Sequence, residues 1–155
     1  MSYLKDHPIN PDWFKKGIST DCVDYADKFA QHLVKEEKIP GTNTFVVLPL
    51  TTSQLRKFFG AVKNLQMNVS INGFAESDFI MLKPKLAYAV GRVRQKNLKC
   101  KERRIEDFAE VISTSIDITI NSTNRMEAFK NFINFFEAIV AYHKRYGKEN
   151  LKKEL

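Results

Sequence analysis

The segment MEAFKNFINFFEAIVAYHKRY, residues 126–146, carries apolar side chains around more than half of the circumference of an α-helix. A helix that is apolar on nearly all sides is usually buried, so this segment predicts the central core helix. The alternative is that its second stripe packs on another protein chain, because surplus aromatic residues in a small domain often mark an interface. The first stripe is Met126, Phe129, Phe132, Ile133, Phe136 and Val140, and the second is Phe135, Ile139, Tyr142 and Tyr146.

Helical spacing of apolar residues predicts four further helices outward from this segment. We expect them over residues 21–37, from Thr52 or Ser53 to about Leu65, from near Glu76 to Leu98, and over residues 102–116. The last helix is expected to start after Ser122 or Thr123 and to end at Gly147.

Several features interrupt the helical pattern. Residues 42–51 are predicted to form an apolar loop, because Pro49 would break a strand ladder and no partner strand is evident. Residues 64–73 are a largely polar break, Pro84 marks either a kink or the first turn of a new helix, and the β-branched tail at 113–123 is expected to fray. The predicted fold class is all-α, a compact bundle of about five helices with an irregular N-terminal arm.

With 155 residues the chain has the length of a single domain. We divide it into an arm over residues 1–20, a helical core over residues 21–147 and a polar tail over residues 148–155. Two prolines and a glycine discourage regular structure in the arm, and its aromatic residues are expected to dock it on the core.

Neither a secretory signal nor a membrane span is expected. The first residues lack a basic region followed by an apolar one, and no run approaches the roughly 18 apolar residues that cross a bilayer. Cys22 and Cys100 lie 78 positions apart without metal-ligand spacing, so we expect neither a disulfide framework nor a structural zinc site. These observations predict a cytoplasmic protein without a membrane partner.

The net charge of +7 is concentrated in one short segment. Residues 83–104 contain nine Lys and Arg residues against Glu102 alone, whereas residues 1–82 balance nine basic groups with nine acidic ones and residues 105–155 carry seven against eight. A solvated helix face usually alternates acids with bases. The deficit of acids therefore favours contact with a nucleic acid or another phosphate ligand, because a polyanion would neutralise the repelling cations.

Helical geometry converts part of this segment into a surface. If the helix continues past Leu98, a row of cations falls within roughly 40° of one direction, beside an aliphatic face that points to the core. Lys83 and Arg94 point elsewhere. Tyr88 is expected either to be packed or to reach a base or a ribose, and packing is the default expectation. A membrane surface is the competing ligand, but the bulky aromatic residues of a membrane-binding helix are lacking. The row is Lys85, Arg92, Lys96, Lys99 and Arg103.

No catalytic or cofactor motif is present in the sequence. Each of the three histidines is interpreted as structural or solvated, including His32, which has Glu36 one helical turn on. Cys100, between Lys99 and Lys101, is a candidate reactive thiol without a positioned base. We therefore predict no enzyme, no metal and no cofactor.

Three stretches together resemble a known family. They are SQLRKFF at residues 53–59, LKPKLAYAVGR at residues 82–92 and FINFFEAIVAYHK at residues 132–144. Their order and content resemble the small subunit of the Csm complex, the type III-A CRISPR effector of antiviral defence. The likeness spans residues 45–147 and omits the N-terminal arm.

The resemblance implies a compact, helical, non-catalytic subunit. It implies as partners the guide RNA, the target RNA and other subunits of the Csm complex, including further copies of the chain. By resemblance, Arg56, Lys57, Lys83, Lys85 and Arg92 are RNA contacts, with Lys144 and Arg145 as weaker candidates. The alternative is a pure scaffold whose basic face meets acidic surfaces of partner proteins. Together with the row above, the predicted RNA-binding residues are Arg56, Lys57, Lys83, Lys85, Arg92, Lys96, Lys99 and Arg103.

Overall fold

Five long helices make up most of the chain in the computed structural model, which describes residues 2–147. The long helices are α3 (Thr20–Val34), α4 (Thr52–Asn72), α6 (Leu82–Lys96), α7 (Arg104–Ile120) and α8 (Arg125–Tyr146). Three short helices are α1 (Tyr3–Asp6), α2 (Asp12–Lys15) and α5 (Glu76–Ile80), and the strands are β1 (Glu37–Lys38), β2 (Phe45–Leu48) and β3 (Glu102–Arg103). The predicted five-helix architecture is confirmed for the long helices, and the small sheet was not predicted.

Helix α8 is the core helix that its apolar circumference predicts. It packs against α2, α3, α4 and α7, and the side chains of Phe132, Phe135, Phe136 and Ile139 are completely buried. The second stripe is therefore covered largely by the chain itself rather than left for a partner. The cap is Asn124 rather than Ser122 or Thr123, and its side chain accepts a hydrogen bond from the backbone of Glu127. The helix ends at Gly147 as expected.

Helix α4 is longer than predicted, because its apolar stripe continues through the supposed polar break. Leu65 and Val69 stay buried one and two turns after Val62. The helix opens with a capping box between Thr51 and Gln54. It ends at Gly73, whose positive φ of 84° suits glycine at this position.

The segment around Pro84 forms two helices rather than one kinked helix. Pro84 is the third residue of α6, within the first turn, where a backbone N–H has no intrahelical acceptor in any case. Helix α6 ends at Lys96 with Asn97 as its C-cap, two residues before the predicted end at Leu98, so the condition of a helix that continues past Leu98 is not met.

Helix α7 extends to Ile120, and the expected fraying of its β-branched tail is wrong. Ser115 and Thr119 are buried, and each hydroxyl donates to the carbonyl four residues earlier, at 2.8 and 2.9 Å. Burial and these hydrogen bonds outweigh the weak intrinsic helix propensity of the segment.

Residues 45–48 form a strand, which corrects the predicted apolar loop. Strand β2 lies in the middle of a three-stranded sheet, antiparallel to β1 and parallel to β3. Both partner strands have only two residues, which is too short for a periodic pattern, and Pro49 follows the end of the strand. The sheet ties the segment before α7 to the segment before α4.

The N-terminal arm is docked by its aromatic residues, as expected, but it is not irregular, because α1 and α2 lie within it. Trp13 and Phe14 are buried, and the ring of Phe14 meets the ring of Phe135 edge to face, with centroids 5.5 Å apart. The side-chain amide of Asn131 donates to the Phe14 carbonyl at 2.7 Å. The predicted polar tail, residues 148–155, lies outside the described residues.

Within residues 2–147, none of the helices has the length and apolar character needed to traverse a bilayer.

Candidate nucleic-acid interface

A groove of about 380 Å³ runs between α4 and α6 and carries four cations. We call it the basic groove and define it by Lys57 of α4 and by Lys85, Arg92 and Lys96 of α6. The remaining lining residues are Gln54, Phe58, Ala61, Ala89, Val93, Asn97 and Ile105.

Helical spacing places these cations on one side of α6. Lys85, Arg92 and Lys96 are separated by seven and four residues, which are close to two turns and one turn. Leu82 and Leu86 turn into the core and are only 2% exposed, so they hold the helix with its cations toward the groove. The predicted cationic face of α6 therefore exists up to Lys96.

The positive charge of the basic groove is not neutralised by carboxylates of residues 2–147. Among residues 2–147, no carboxylate lines the groove, and Lys57, Lys85 and Lys96 form no ion pair. The guanidinium of Arg92 lies over the ring of Tyr88, 5.9 Å from its centroid. Clustered like charges destabilise the free chain, so binding of an anion in the groove is favoured.

Other cations of the basic segment are already engaged by carboxylates. Lys83 binds Asp117 at 2.7 Å, Arg94 binds Glu106, and Arg104 lies 3.4 Å from Glu102. Lys83 and Arg94 line a different hollow, between α6 and α7. Lys83 is thus away from the basic groove, as its helical direction predicted.

The position expected for Arg103 is wrong. That expectation required α6 to continue past Leu98, but the helix ends at Lys96. Its side chain is only 10% exposed and is 3.2 Å from the Glu106 carboxylate. Its guanidinium also donates two hydrogen bonds to the Asn97 carbonyl, at 2.7 and 3.0 Å. Arg103 therefore stabilises the turn after α6 and does not extend the row of cations.

Lys99 and Arg56 flank the groove without lining it. Lys99 is exposed and lies in a neighbouring hollow that Lys96 also lines. Arg56 is exposed on α4 and already contacts another group of the chain. The weaker candidates Lys144 and Arg145 are exposed near the end of α8, away from the groove lining.

Sequence reasoning missed two members of this surface and gave a third only as an alternative. Gln54 has the pattern of a helix-capping residue and Asn97 that of a helix end, so nothing in the sequence singles out their side chains. For Tyr88, packing was the default expectation and contact with a base or ribose the alternative, and its 69% exposure excludes the packed ring. Its place on the outer side of α6, away from Leu82 and Leu86, was available from the helical period.

The reactive side chains outside the basic groove, such as His32 and Cys100, are engaged in contacts within the fold. His32 Nε2 is 2.7 Å from Asp107 Oδ2, and its ring lies against Tyr3 with centroids 4.5 Å apart. The Cys100 thiol donates to the Phe45 carbonyl at 3.3 Å, and burial raises the pKa of the Cys22 thiol to about 12. In the part of the chain that is described, no group of three or more ligands is placed to hold a metal ion.

Fold and groove together define a small helical protein with a cationic groove that is lined by four basic side chains and by no carboxylate of residues 2–147. Residues 18–149 match the family model described as Csm2 Type III-A, which is well over half of the chain. The chain therefore belongs to this family, the small structural subunits of type III-A CRISPR Csm complexes. No curated protein and no solved structure matched the chain.

Proposed function

We propose that this structural subunit binds RNA by its backbone and contacts the guide–target duplex within the Csm complex through the basic groove. The observation that carries the proposal is the set of four cations, Lys57, Lys85, Arg92 and Lys96, around a groove that no carboxylate of the described residues lines. A strand of phosphates supplies the missing negative charge at regular intervals.

The contact is expected to tolerate any RNA sequence. Lysine and arginine contacts to phosphate fix the position and register of a nucleic acid, but they carry no sequence information directly. In a guide-dependent complex the target sequence is recognised by base pairing with the guide. A subunit that contacts the RNA backbone can therefore bind with any guide sequence.

Family membership implies the other subunits of the Csm complex as protein partners. Further copies of the chain are included among the partners that we propose. In this proposal the chain contributes binding and assembly, whereas chemical steps belong to other subunits.

A charge-matched pair of triple variants tests the proposal. Lys85→Ala/Arg92→Ala/Lys96→Ala removes three groove cations, and Lys5→Ala/Lys15→Ala/Lys130→Ala removes three exposed cations that do not line the groove. Fluorescence anisotropy with a single-stranded RNA is measured between about 50 and 200 mM salt, where phosphate contacts dominate the affinity. Circular dichroism confirms that both variants keep the helical content of the wild type.

The groove variant is expected to bind at least about tenfold more weakly at low salt, and the slope of log K against log salt should shrink by about 2. The control variant is expected to keep most of the affinity and of the slope. Equal losses in both variants would mean that only net charge matters. A wild type that binds another Csm subunit but no RNA would support the scaffold alternative instead.

A further inference from the structure

The floor of the basic groove is apolar, which a surface for phosphates alone does not require. Phe58, Ala61, Ala89, Val93 and Ile105 line it between the cationic rims. Ala61 and Ala89 are small and keep the groove open at about 380 Å³. Apolar surface left open to water costs free energy, so its presence here points to a ligand with an apolar part.

Two side-chain amides at the groove offer a hydrogen-bond donor and an acceptor. The Gln54 oxygen accepts from the Thr51 backbone at 2.9 Å, so its NH₂ group remains available. The Asn97 NH₂ group donates to the Val93 carbonyl at 2.8 Å, so its oxygen remains available. Because each amide is held at its other end, the orientation of both free ends is set by the fold.

We propose that the basic groove holds one unpaired nucleotide of an RNA strand. The base lies on the apolar floor, its edge meets the amides of Gln54 and Asn97, and the adjoining phosphates meet the cations of α6. This inference rests on the proposed function and goes beyond it, because a base leaves its duplex stack to enter the groove. The exposed ring of Tyr88, beside Arg92, offers a stacking face to a neighbouring base.

The dimensions of the floor favour a nucleotide over an acidic peptide helix. The floor spans Phe58 to Ala61 on α4 and Ala89 to Val93 on α6, which is about one turn of each helix, or roughly 4.5 and 6 Å. A helix docked in a groove inserts apolar side chains from several successive turns. One planar base needs no more length than this floor has.

The test separates the base from the backbone with two ligands and two variants. The ligands are a single-stranded RNA and a strand of equal length that carries abasic ribose at every position. The variants are Ala89→Leu, which fills the floor without changing charge, and the control Ala87→Leu, an exposed position on the same helix that does not line the groove. Affinities are measured by anisotropy on the full chain, and melting curves check that both variants fold.

Wild type and Ala87→Leu are expected to bind the complete RNA about fivefold or more tightly than the abasic strand. Ala89→Leu should lose that preference, keep the affinity for the abasic strand and keep the slope of affinity against salt. A 2-aminopurine base at an unpaired position should change its fluorescence on binding to the control but not to Ala89→Leu.

Equal affinity of the wild type for both strands would overturn the nucleotide site while leaving backbone binding in place. An Ala89→Leu variant that retains the preference for bases would overturn it as well. An acidic peptide that competes with RNA for the wild type but not for Ala89→Leu, without any preference for bases, would assign the groove to a protein. Failure of the wild type to bind either strand at low salt would instead contradict the proposed function.

Discussion

A single buried histidine, His143, joins the last helix to the chain that enters α4. Its Nε2 donates to the Leu50 carbonyl at 2.7 Å, its side chain is completely buried, and within residues 2–147 its Nδ1 has no partner. Burial lowers the pKa of this imidazole, although the hydrogen bond to Leu50 opposes the shift. The fold therefore holds His143 neutral.

Stability is expected to fall in acid through His143. The unfolded chain takes up a proton below a pKa of about 6.5, whereas the folded chain resists protonation, so the free energy of unfolding drops as pH falls below about 6.5. The contribution of this residue is at most about 1.4 kcal/mol per pH unit. Urea unfolding at pH 7, 6 and 5 measures it.

The control for this prediction is His143→Gln, which cannot titrate. The other two histidines are common to both proteins, so the difference between the two pH profiles isolates His143. Identical pH slopes for the variant and the wild type would show that burial of His143 has no linkage to stability.

At the scale of an element, helix α4 has one glycine in its interior and another as its C-cap, and the two positions have opposite structural requirements. Gly60 lies inside the helix, and a Cβ added there would meet nothing within 4 Å. Gly73 follows the last helical residue with a φ of 84°, a conformation that side chains with a Cβ adopt at a cost.

Gly60→Ala is expected to raise the free energy of unfolding by about 0.5–1 kcal/mol, because alanine favours a helix interior. Gly73→Ala is expected to lower it by about 1 kcal/mol, because the left-handed cap becomes strained. Chemical denaturation of the two variants measures both signs. A loss of stability in Gly60→Ala would mean that this surface of α4 is closer to other groups than the structure shows.

At the scale of the whole molecule, the N-terminal arm belongs to the core although the family match begins only at residue 18. Phe14 is completely buried against Phe135 of the central helix. The Tyr25 hydroxyl also donates to the His7 carbonyl at 2.7 Å, which ties the arm to α3. We therefore expect the arm and the helical core to unfold together.

Phe14→Ala is expected to lower the free energy of unfolding by about 3–5 kcal/mol, as for other buried aromatic residues. The neighbouring residue Lys15 is exposed and supplies the control. Lys15→Ala should change the free energy of unfolding by less than about 0.5 kcal/mol. Urea titrations followed by circular dichroism compare the two. A Phe14→Ala protein as stable as its control would show that the arm opens independently of the bundle.

The sequence by itself determined the helices, the core helix and the location of the excess charge. Apolar spacing and capping residues act within a few helical turns. The burial of Phe132 and Phe136 and the helix end at Gly147 can therefore be predicted from the local sequence alone. For the same reason the sequence did not predict two features that depend on distant segments. The strand at 45–48 depends on two-residue partners, and the tail of α7 on burial by neighbouring helices.

Only the tertiary structure decided which cations share a surface. Lys57 and Lys85 lie 28 positions apart and become neighbours because α4 packs beside α6. Arg103 follows the groove residues of α6 closely in sequence. However, its guanidinium contacts the Glu106 carboxylate and the Asn97 carbonyl instead of lining the groove. Charge is a property of residues, but whether a charge stays available to a ligand depends on which carboxylates and carbonyls the fold brings within reach.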